Sequence, residues 1–195
     1  MCTYLVFCYD RGAKITQFIQ CAALSASSAG HQVVYPNQEP FVESVESYWS
    51  RSVRLSPTCI IQPESVEDVS VAVSTLVQEG GSLSSCKFAV RSGGHTVWAG
   101  AANIEDGVTI DLSNMNTTTH HPDNKTASIY SGARWISVYK TLEKDNVTVA
   151  GGRGGPVGVG GFLLGGERYA TLLRCSFLKV NRWKFLSFRK SRFRM

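Results

Sequence analysis

Several features that would assign a function class are missing from this sequence. No run of about 18 apolar residues occurs, so no membrane-spanning helix is predicted. The glycine-rich residues 151–166 do not contain the dinucleotide spacing G-x-G-x-x-G, and no G-x-x-x-x-G-K-[ST] occurs, which disfavours nicotinamide and P-loop sites. The six cysteines show no C-x-x-C or Cys/His ligand spacing, so no metal site is predicted.

Acidic residues are scarce only at the end of the chain. Residues 167–195 hold nine Lys and Arg but a single acid, Glu167, whereas residues 1–166 hold 11 basic and 14 acidic side chains. The net charge of +5 therefore belongs to this tail. Its cations and aromatic residues would suit nucleic acid or an anionic membrane. The alternative, an accidental translation product unrelated to the preceding domain, is preferred, and no specific nucleic-acid partner is predicted.

A convincing signal peptide is also missing. The apolar residues 1–8 are not preceded by a basic region and are soon followed by Asp10, Arg11 and Lys14. Three glycosylation sequons begin at Asn116, Asn124 and Asn146, and together they favour a secreted glycoprotein. A cytosolic chain with reduced thiols and unused sequons is the alternative.

The first part of the chain predicts a β-α-β unit. Residues 1–40 show little periodicity and are expected to be loose until about Phe41, whereas 58–62 resemble a short buried strand. Ser65 and Asp68 have capping-box spacing and start a helix that Gly80-Gly81 ends. One face of that helix is predicted from Val66, Val69, Val73, Leu76 and Val77. Residues 87–91 form the next strand, which should be parallel to the first.

Further elements follow in the second half. Residues 107–112 and 126–130 are predicted strands. Residues 135–144 are predicted to form a short amphipathic helix with Ile136, Tyr139 and Leu142 facing inward. Residues 147–150 form a strand that leads into a glycine cluster.

Two glycine-containing segments could carry chemistry. The first is Arg91-Ser92-Gly93-Gly94-His95-Thr96, directly after a predicted strand. Its two glycines can adopt positive φ, so consecutive N–H groups can converge on an anion such as a diphosphate. A plain β-turn explains these six residues equally well.

The second segment, residues 151–166, contains nine glycines in sixteen positions, too many for a regular element. The backbone there is expected to approach a ligand or another strand closely. A flexible linker is the alternative, but linkers favour glycine and serine over the Val, Phe and Leu found here.

The order and spacing of these segments resemble a known family. Residues 21–166 are similar to the FAD-binding domain of the vanillyl-alcohol-oxidase and para-cresol-methylhydroxylase (PCMH) superfamily, and most to fungal oxidases of the berberine-bridge and glucooligosaccharide-oxidising branch. The matching stretches are Ser47–Ser50, Pro63 with Asp68-Val69, Phe88–Thr96, Ala101–Ile104, Ile110–Leu112, Gly132–Trp135 and Val157–Gly161.

The resemblance implies a fold and a cofactor. It implies an α+β PCMH-type FAD-binding domain, with an N-terminal β-α-β subdomain, the start of a second subdomain and an incomplete C-terminus. His95 would bond covalently to the 8α-methyl carbon of FAD. Bicovalent relatives have a cysteine where this chain has Gly154, so one link is expected. The implied cofactor-binding residues are Arg91, Ser92, Gly93, Gly94, His95, Thr96, Val157, Gly158, Gly160 and Gly161.

The resemblance also implies a domain organisation and a disulfide. Residues 1–50 are the lead-in, 51–166 the partial FAD-binding domain and 167–195 the unrelated tail. Similar enzymes bridge their N-terminal segment to the sheet, which implies Cys21–Cys59, with Cys86 as the rival partner. The family oxidises alcohols, sugars or amine-type small molecules through its flavin. Because nothing after Gly166 matches, the sequence predicts that substrate-selecting and acid/base residues are not included, and it leaves the catalytic residues, substrate and oligomeric state open. A non-catalytic truncated product that folds poorly or binds FAD weakly is the alternative.

Overall fold

The computed structural model of the protein describes residues 13–79, 87–165 and 184–186. These residues belong to two compact units that meet in sequence between Met115 and Asn116. Both units combine helices with short sheets, which confirms the predicted mixed class. No described helix is both long and apolar enough to cross a membrane.

The first unit is built on a four-stranded sheet. Its helices are α1 (Ala13–Ala26), α2 (Glu39–Glu46) and α3 (Val66–Glu79), and its strands are β1 (Val33–Val34), β2 (Cys59–Ile61), β3 (Phe88–Arg91) and β4 (Val108–Asp111). The strand order is β1-β2-β4-β3. Strands β2 and β3 both run parallel to β4, which lies between them, and β1 is antiparallel to β2. The predicted β-α-β unit is therefore present, with a later strand inserted between its two strands.

The core of this unit lies between the sheet and the helices α1 and α3. Every residue of β2 and β4 is buried, and all of them except Cys59 and Asp111 are β-branched. Leu24 of α1 and Leu76 of α3 are completely buried in this core, and each contributes about 1.5–3 kcal/mol by leaving water.

Helix α1 corrects the prediction that residues 1–40 are loose. Its buried positions include Gln20, Cys21 and Leu24, whereas Phe18 and Ile19 are 69% and 51% exposed. A polar residue inside the buried stripe and two large apolar residues outside it remove the periodicity that predicts an amphipathic helix. The helix is stabilised by packing on the sheet rather than by a regular local pattern.

Helix α3 begins with the predicted capping box. The Asp68 N–H donates to Ser65 Oγ at 3.1 Å, and the Ser65 N–H donates to Asp68 Oδ2 at 2.9 Å. The predicted buried face is wrong at both ends, because Val66 and Val77 are 58% and 63% exposed. Ala72 and Leu76, four residues apart on one face, are the fully buried residues, and Val66 and Val77 lie to one side of that face. The predicted end at Gly80-Gly81 lies outside the described residues.

The structure contains the disulfide that the resemblance implied. Cys21 of α1 is bonded to Cys59 of β2, with an S–S distance of 2.00 Å, and both side chains are buried. The bond ties the N-terminal helix to the sheet. The rival Cys86 lies outside the described residues.

The second unit packs around Trp135. Its elements are the strands β5 (Thr118–His121), β6 (Thr126–Ile129), β7 (Val147–Val149) and β8 (Lys184–Leu186), and the helices α4 (Trp135–Glu143) and α5 (Val159–Leu164). Strands β5 and β6 form an antiparallel pair, and β7 pairs in parallel with β8. Strand β8 is the described part of the predicted tail.

The inward face of α4 differs from its prediction. Trp135, Val138 and Leu142 are fully buried, but Ile136 is 46% exposed. The 3.6-residue period is correct, and the buried stripe begins one residue earlier than predicted. Trp135 and Ile136 are both apolar, so either residue could begin the buried stripe. Burial of the Trp135 ring in the core decides for Trp135.

The capping carboxylate gives the first unit a defined pH dependence. The hydrogen bond from Gln32, with further bonds from Ser65 and Glu64, lowers the pKa of Asp68 from 3.8 to about 2. A lowered folded-state pKa stabilises the fold above the unfolded pKa, and that stability is lost as the pH falls through about 4 to 2. We expect the difference in free energy of unfolding between wild type and Asp68→Asn to shrink over this window in urea titrations. Glu67→Gln, in the same turn, is the control, and a constant Asp68→Asn difference would contradict the assignment.

Removing the disulfide should lower the stability of the chain measurably. The cysteines are 38 residues apart, and cross-linking a loop of this length stabilises a fold by about 3–4 kcal/mol in the chain-entropy description. We expect the double variant Cys21→Ala, Cys59→Ala to lose about this much free energy of unfolding, whereas Cys86→Ala should not. Non-reducing peptide mapping should recover one linked peptide pair, and a pair that contains Cys86 would refute the assignment.

Candidate functional site

The first predicted segment forms the loop at the carboxyl end of β3. Arg91 is the last residue of that strand, and Ser92–Thr96 continue without regular structure. Gly93 and Gly94 are buried, and Ser92, His95 and Thr96 are partly exposed. Loops at the carboxyl ends of parallel strands are the usual ligand-binding positions of such sheets.

Arg91 anchors this loop through a buried network. Its Nη1 donates to the carbonyl oxygen and Oγ of Ser44, both at 2.7 Å, and to Asp111 Oδ2 at 3.2 Å. Its Nη2 donates to Ser47 Oγ at 2.6 Å, and the guanidinium lies 4.0 Å from the centroid of the Tyr48 ring. Both Nη atoms of Arg91 thus donate to other residues of the first unit, so this buried side chain supports the loop that follows it.

Tyr48 forms the next layer of this support. Burial raises the pKa of Tyr48 well above its ordinary value, although the Arg91 charge acts in the opposite direction. The phenol therefore stays protonated and donates to the carbonyl oxygen of Ala102 at 2.6 Å. The ring is held rigidly beneath the loop.

Gly94 provides the turn that the sequence predicted. Its φ is +64°, and a Cβ atom there would lie 3.0 Å from both Arg91 Nε and Tyr48 Cδ1. The backbone conformation and the crowded space therefore both require glycine. Gly93 was expected to share the positive φ, but only Gly94 of this pair has it.

His95 follows this turn with a partly exposed imidazole. Its ring stacks on Trp49 with a centroid distance of 4.8 Å and an interplanar angle of 18°. Within the described residues, neither ring nitrogen has a hydrogen-bond partner. The imidazole is thus held by one face while its nitrogen atoms stay available for bonding.

The second predicted segment lies in the other unit and pairs with the chain that leads into α4. The Trp135 N–H donates to the Val157 carbonyl oxygen at 3.1 Å, and the Gly160 N–H donates to the Ser131 carbonyl oxygen at 3.1 Å. Gly158 forms an antiparallel bridge with Arg134. Gly161 is exposed, and a Cβ atom there would meet nothing within 4 Å.

Part of the glycine run is required by a side chain of the protein itself. Cβ atoms at Gly151 and Gly152 would lie 2.2 Å and 2.6 Å from atoms of the Trp135 ring. The expected neighbour was a ligand or a strand, and for these two glycines it is a tryptophan. The expectation that no regular element fits within residues 151–166 was also wrong, since α5 occupies Val159–Leu164.

The structure groups the predicted residues in two sets. Arg91, Ser92, Gly93, Gly94, His95 and Thr96 lie together in the first unit, and Val157, Gly158, Gly160 and Gly161 lie together in the second. The supporting residues Ser44 and Asp111 were not predicted. The sequence did contain a signal for Asp111, because a carboxylate at the end of a predicted buried strand requires a cationic partner nearby.

A pair of glycine substitutions tests how tightly the loop is packed. Gly94→Ala should lower the free energy of unfolding by about 2–4 kcal/mol, because it combines backbone strain with a clash. Gly100→Ala is the matched control, since Gly100 has a φ of +84° but open space at the Cβ position. It should cost only about 1–2 kcal/mol in the same denaturant titration. Equal losses would show that Arg91 and Tyr48 yield to the added methyl group.

Comparison with known proteins identifies relatives of this chain. The chain is 51% identical over 147 residues to the FAD-dependent monooxygenase sdcF of Emericella nidulans, covering 75% of this chain and 30% of that protein. It is 44% identical over 146 residues to the FAD-dependent monooxygenase drtC of Aspergillus calidoustus, covering 75% and 28%. The chain thus spans less than a third of the length of these curated relatives.

Solved structures give the same fold. Glucooligosaccharide oxidase from Acremonium strictum matches with a TM-score of 0.62 and 25% identity, over 75% of this chain and 29% of that one. 6-Hydroxy-D-nicotine oxidase from Arthrobacter nicotinovorans matches with a TM-score of 0.57 and 26% identity, over 65% and 26%. The FAD binding domain family itself matches residues 57–170, more than half of the chain. This protein therefore belongs to the FAD binding domain family.

Proposed function

We propose that this chain is the flavin-holding part of an FAD-linked oxidoreductase that oxidises a small molecule, with FAD attached covalently through His95. The observation that carries the proposal is the His95 imidazole, which is partly exposed and has no hydrogen-bond partner on its nitrogens within the described residues. The names of the relatives, FAD-dependent monooxygenases and oxidases, support the reaction class.

The residues around His95 suit FAD. Covalent attachment requires a free imidazole nitrogen, which His95 offers, and a nearby diphosphate requires a closely turning backbone, which Gly94 provides. Bound FAD supplies the hydride-accepting chemistry, while the protein contributes binding and orientation. Ser92, Gly93, Gly94 and Thr96 are proposed to contact the cofactor directly, and Arg91 is proposed to act by holding their loop in place.

The second segment is proposed to contact the cofactor through its backbone. Val157, Gly158, Gly160 and Gly161 carry no polar side chain, so backbone and apolar contacts are what they can offer. The exposed Gly161, with open space around its Cβ position, supports this role best. Gly160 uses its N–H inside the protein, which leaves its carbonyl oxygen and Cα for contact.

A single covalent link is proposed. The Acremonium strictum oxidase is described with a 6-S-cysteinyl, 8α-N1-histidyl FAD. The position that the resemblance assigns to the cysteine is Gly154 here, and a Cβ atom there would lie 3.0 Å from Val157 Cγ2. Glycine has no side chain to form the second bond, so attachment rests on His95 alone.

The domain bounds and cellular location are also proposals. Residues 51–166 are proposed as a partial FAD-binding domain, preceded by the lead-in 1–50 and followed by the basic tail 167–195. A secreted, glycosylated form is supported by the Cys21–Cys59 bond and by the exposed sequon residues Asn116 and Asn146.

Removing the imidazole tests the attachment. In His95→Ala, acid precipitation should release FAD, whereas in wild type the flavin should stay with the protein and its mass should map to the His95 peptide. His121→Ala, whose Nε2 lies 2.8 Å from Ser128 Oγ, is the matched control and should keep the covalent flavin. Gly154→Cys should add a second link after a small shift of Val157. Flavin mass on another wild-type residue, or free release from wild type, would refute the proposal.

A further inference from the structure

Two consecutive residues after α2 contact two consecutive residues of the candidate loop. The Tyr48 ring lies against Gly94, and the Trp49 ring stacks on His95. The Trp49 N–H also donates to the Gly94 carbonyl oxygen at 3.2 Å. The main chain and the side chain of Trp49 therefore both hold the segment that carries the imidazole.

The stack orients His95 differently from the way in which His120 and His121 are oriented. His120 and His121 are oriented through ring nitrogens, by contacts of 2.8 Å between His120 Nδ1 and Asp145 Oδ2 and between His121 Nε2 and Ser128 Oγ. Such contacts occupy a nitrogen atom. The indole of Trp49 instead covers an imidazole face, so the ring is oriented while its in-plane nitrogens stay free.

The exposure of Trp49 argues against a purely structural role. Its side chain is 62% exposed, so it adds little to the core, whereas the adjacent Tyr48 is 2% exposed. The orientation of the indole is nevertheless defined by the stack and by the backbone hydrogen bond. Among the described residues, the aromatic partner of this indole is His95, the residue proposed to bind the flavin.

We propose that Trp49 is a positioning residue that holds the His95 imidazole in the plane required for its covalent attachment; this inference rests on the proposed function. In the attachment, a bond forms between an imidazole nitrogen and the 8α carbon of the flavin. One C–H bond of the methyl group and the imidazole N–H bond are lost. The two electrons and two protons pass to dioxygen, the required co-reactant, and leave as hydrogen peroxide.

Variants of Trp49 separate the ring contact from the backbone contact. Trp49→Ala removes the stack but retains the N–H that bonds to Gly94, and Trp49→Phe retains an aromatic face. Because aromatic pairs contribute roughly two- to tenfold in an equilibrium or rate constant, we expect covalent incorporation in Trp49→Ala to slow by about that factor. Trp49→Phe should recover most of the rate. Trp98→Ala is the control, since Trp98 is 76% exposed in the same region but is not the ring that stacks on His95.

Two measurements on the full chain decide the matter. In the chain without flavin, the carbon-bound ring protons of His95 should move downfield in Trp49→Ala, because the indole ring current is lost. After addition of FAD, the rate of acid-stable flavin incorporation should fall in Trp49→Ala while the total FAD bound stays unchanged.

The outcomes distinguish this inference from the function on which it rests. Unchanged His95 resonances, or an unchanged incorporation rate in Trp49→Ala when wild type flavinylates at His95, would overturn the role of Trp49 alone. A wild-type chain that carries no flavin on His95 would overturn the proposed function, and the role of Trp49 with it. A slower rate that Trp49→Phe restores and Trp98→Ala does not alter would support the positioning role.

Discussion

The first unit depends on the neutralisation of one buried cation. Arg91 and Asp111 are 2% and 1% exposed and face each other in register on β3 and β4. A buried guanidinium without partners would cost several kcal/mol, so the carboxylate and the oxygens of Ser44 and Ser47 are required together. This requirement fixes the alignment of two parallel strands and holds the end of α2 against them.

The shape of the candidate site depends on that ion pair. Tyr48 packs against the guanidinium, and the space that remains above both side chains accommodates only a glycine at position 94. The turn at Gly94 then places His95 beside Trp49, the residue that follows Tyr48 in the chain. The buried layer fixes the backbone at Gly94, and the His95 imidazole is oriented above it by the stack on Trp49, whose N–H also donates to the Gly94 carbonyl oxygen.

Glycine illustrates the limit of what a local pattern can identify. Gly94 and Gly151 give the same signal in the sequence, a residue without a side chain near a strand end. At Gly94 the neighbours are Arg91 and Tyr48 of the site, whereas at Gly151 the neighbour is the buried ring of Trp135. The pattern predicts that another group packs closely against the backbone, but it does not identify that group.

The sequence by itself determined the features that are complete within a few residues. The capping box of Ser65 and Asp68 is set by local hydrogen bonds, and the strands that flank α3 by short apolar runs. The glycines before His95 likewise predict a turn, and Gly94 has the positive φ. The tertiary structure decided which faces are buried and which side chains meet. Gln20 is buried while Phe18 is exposed, and Arg91 finds Ser44 from 47 residues away, because burial depends on the surface that each element contacts and not on its own pattern. Long-range contacts of this kind leave no period in the sequence, so only the folded chain determines them.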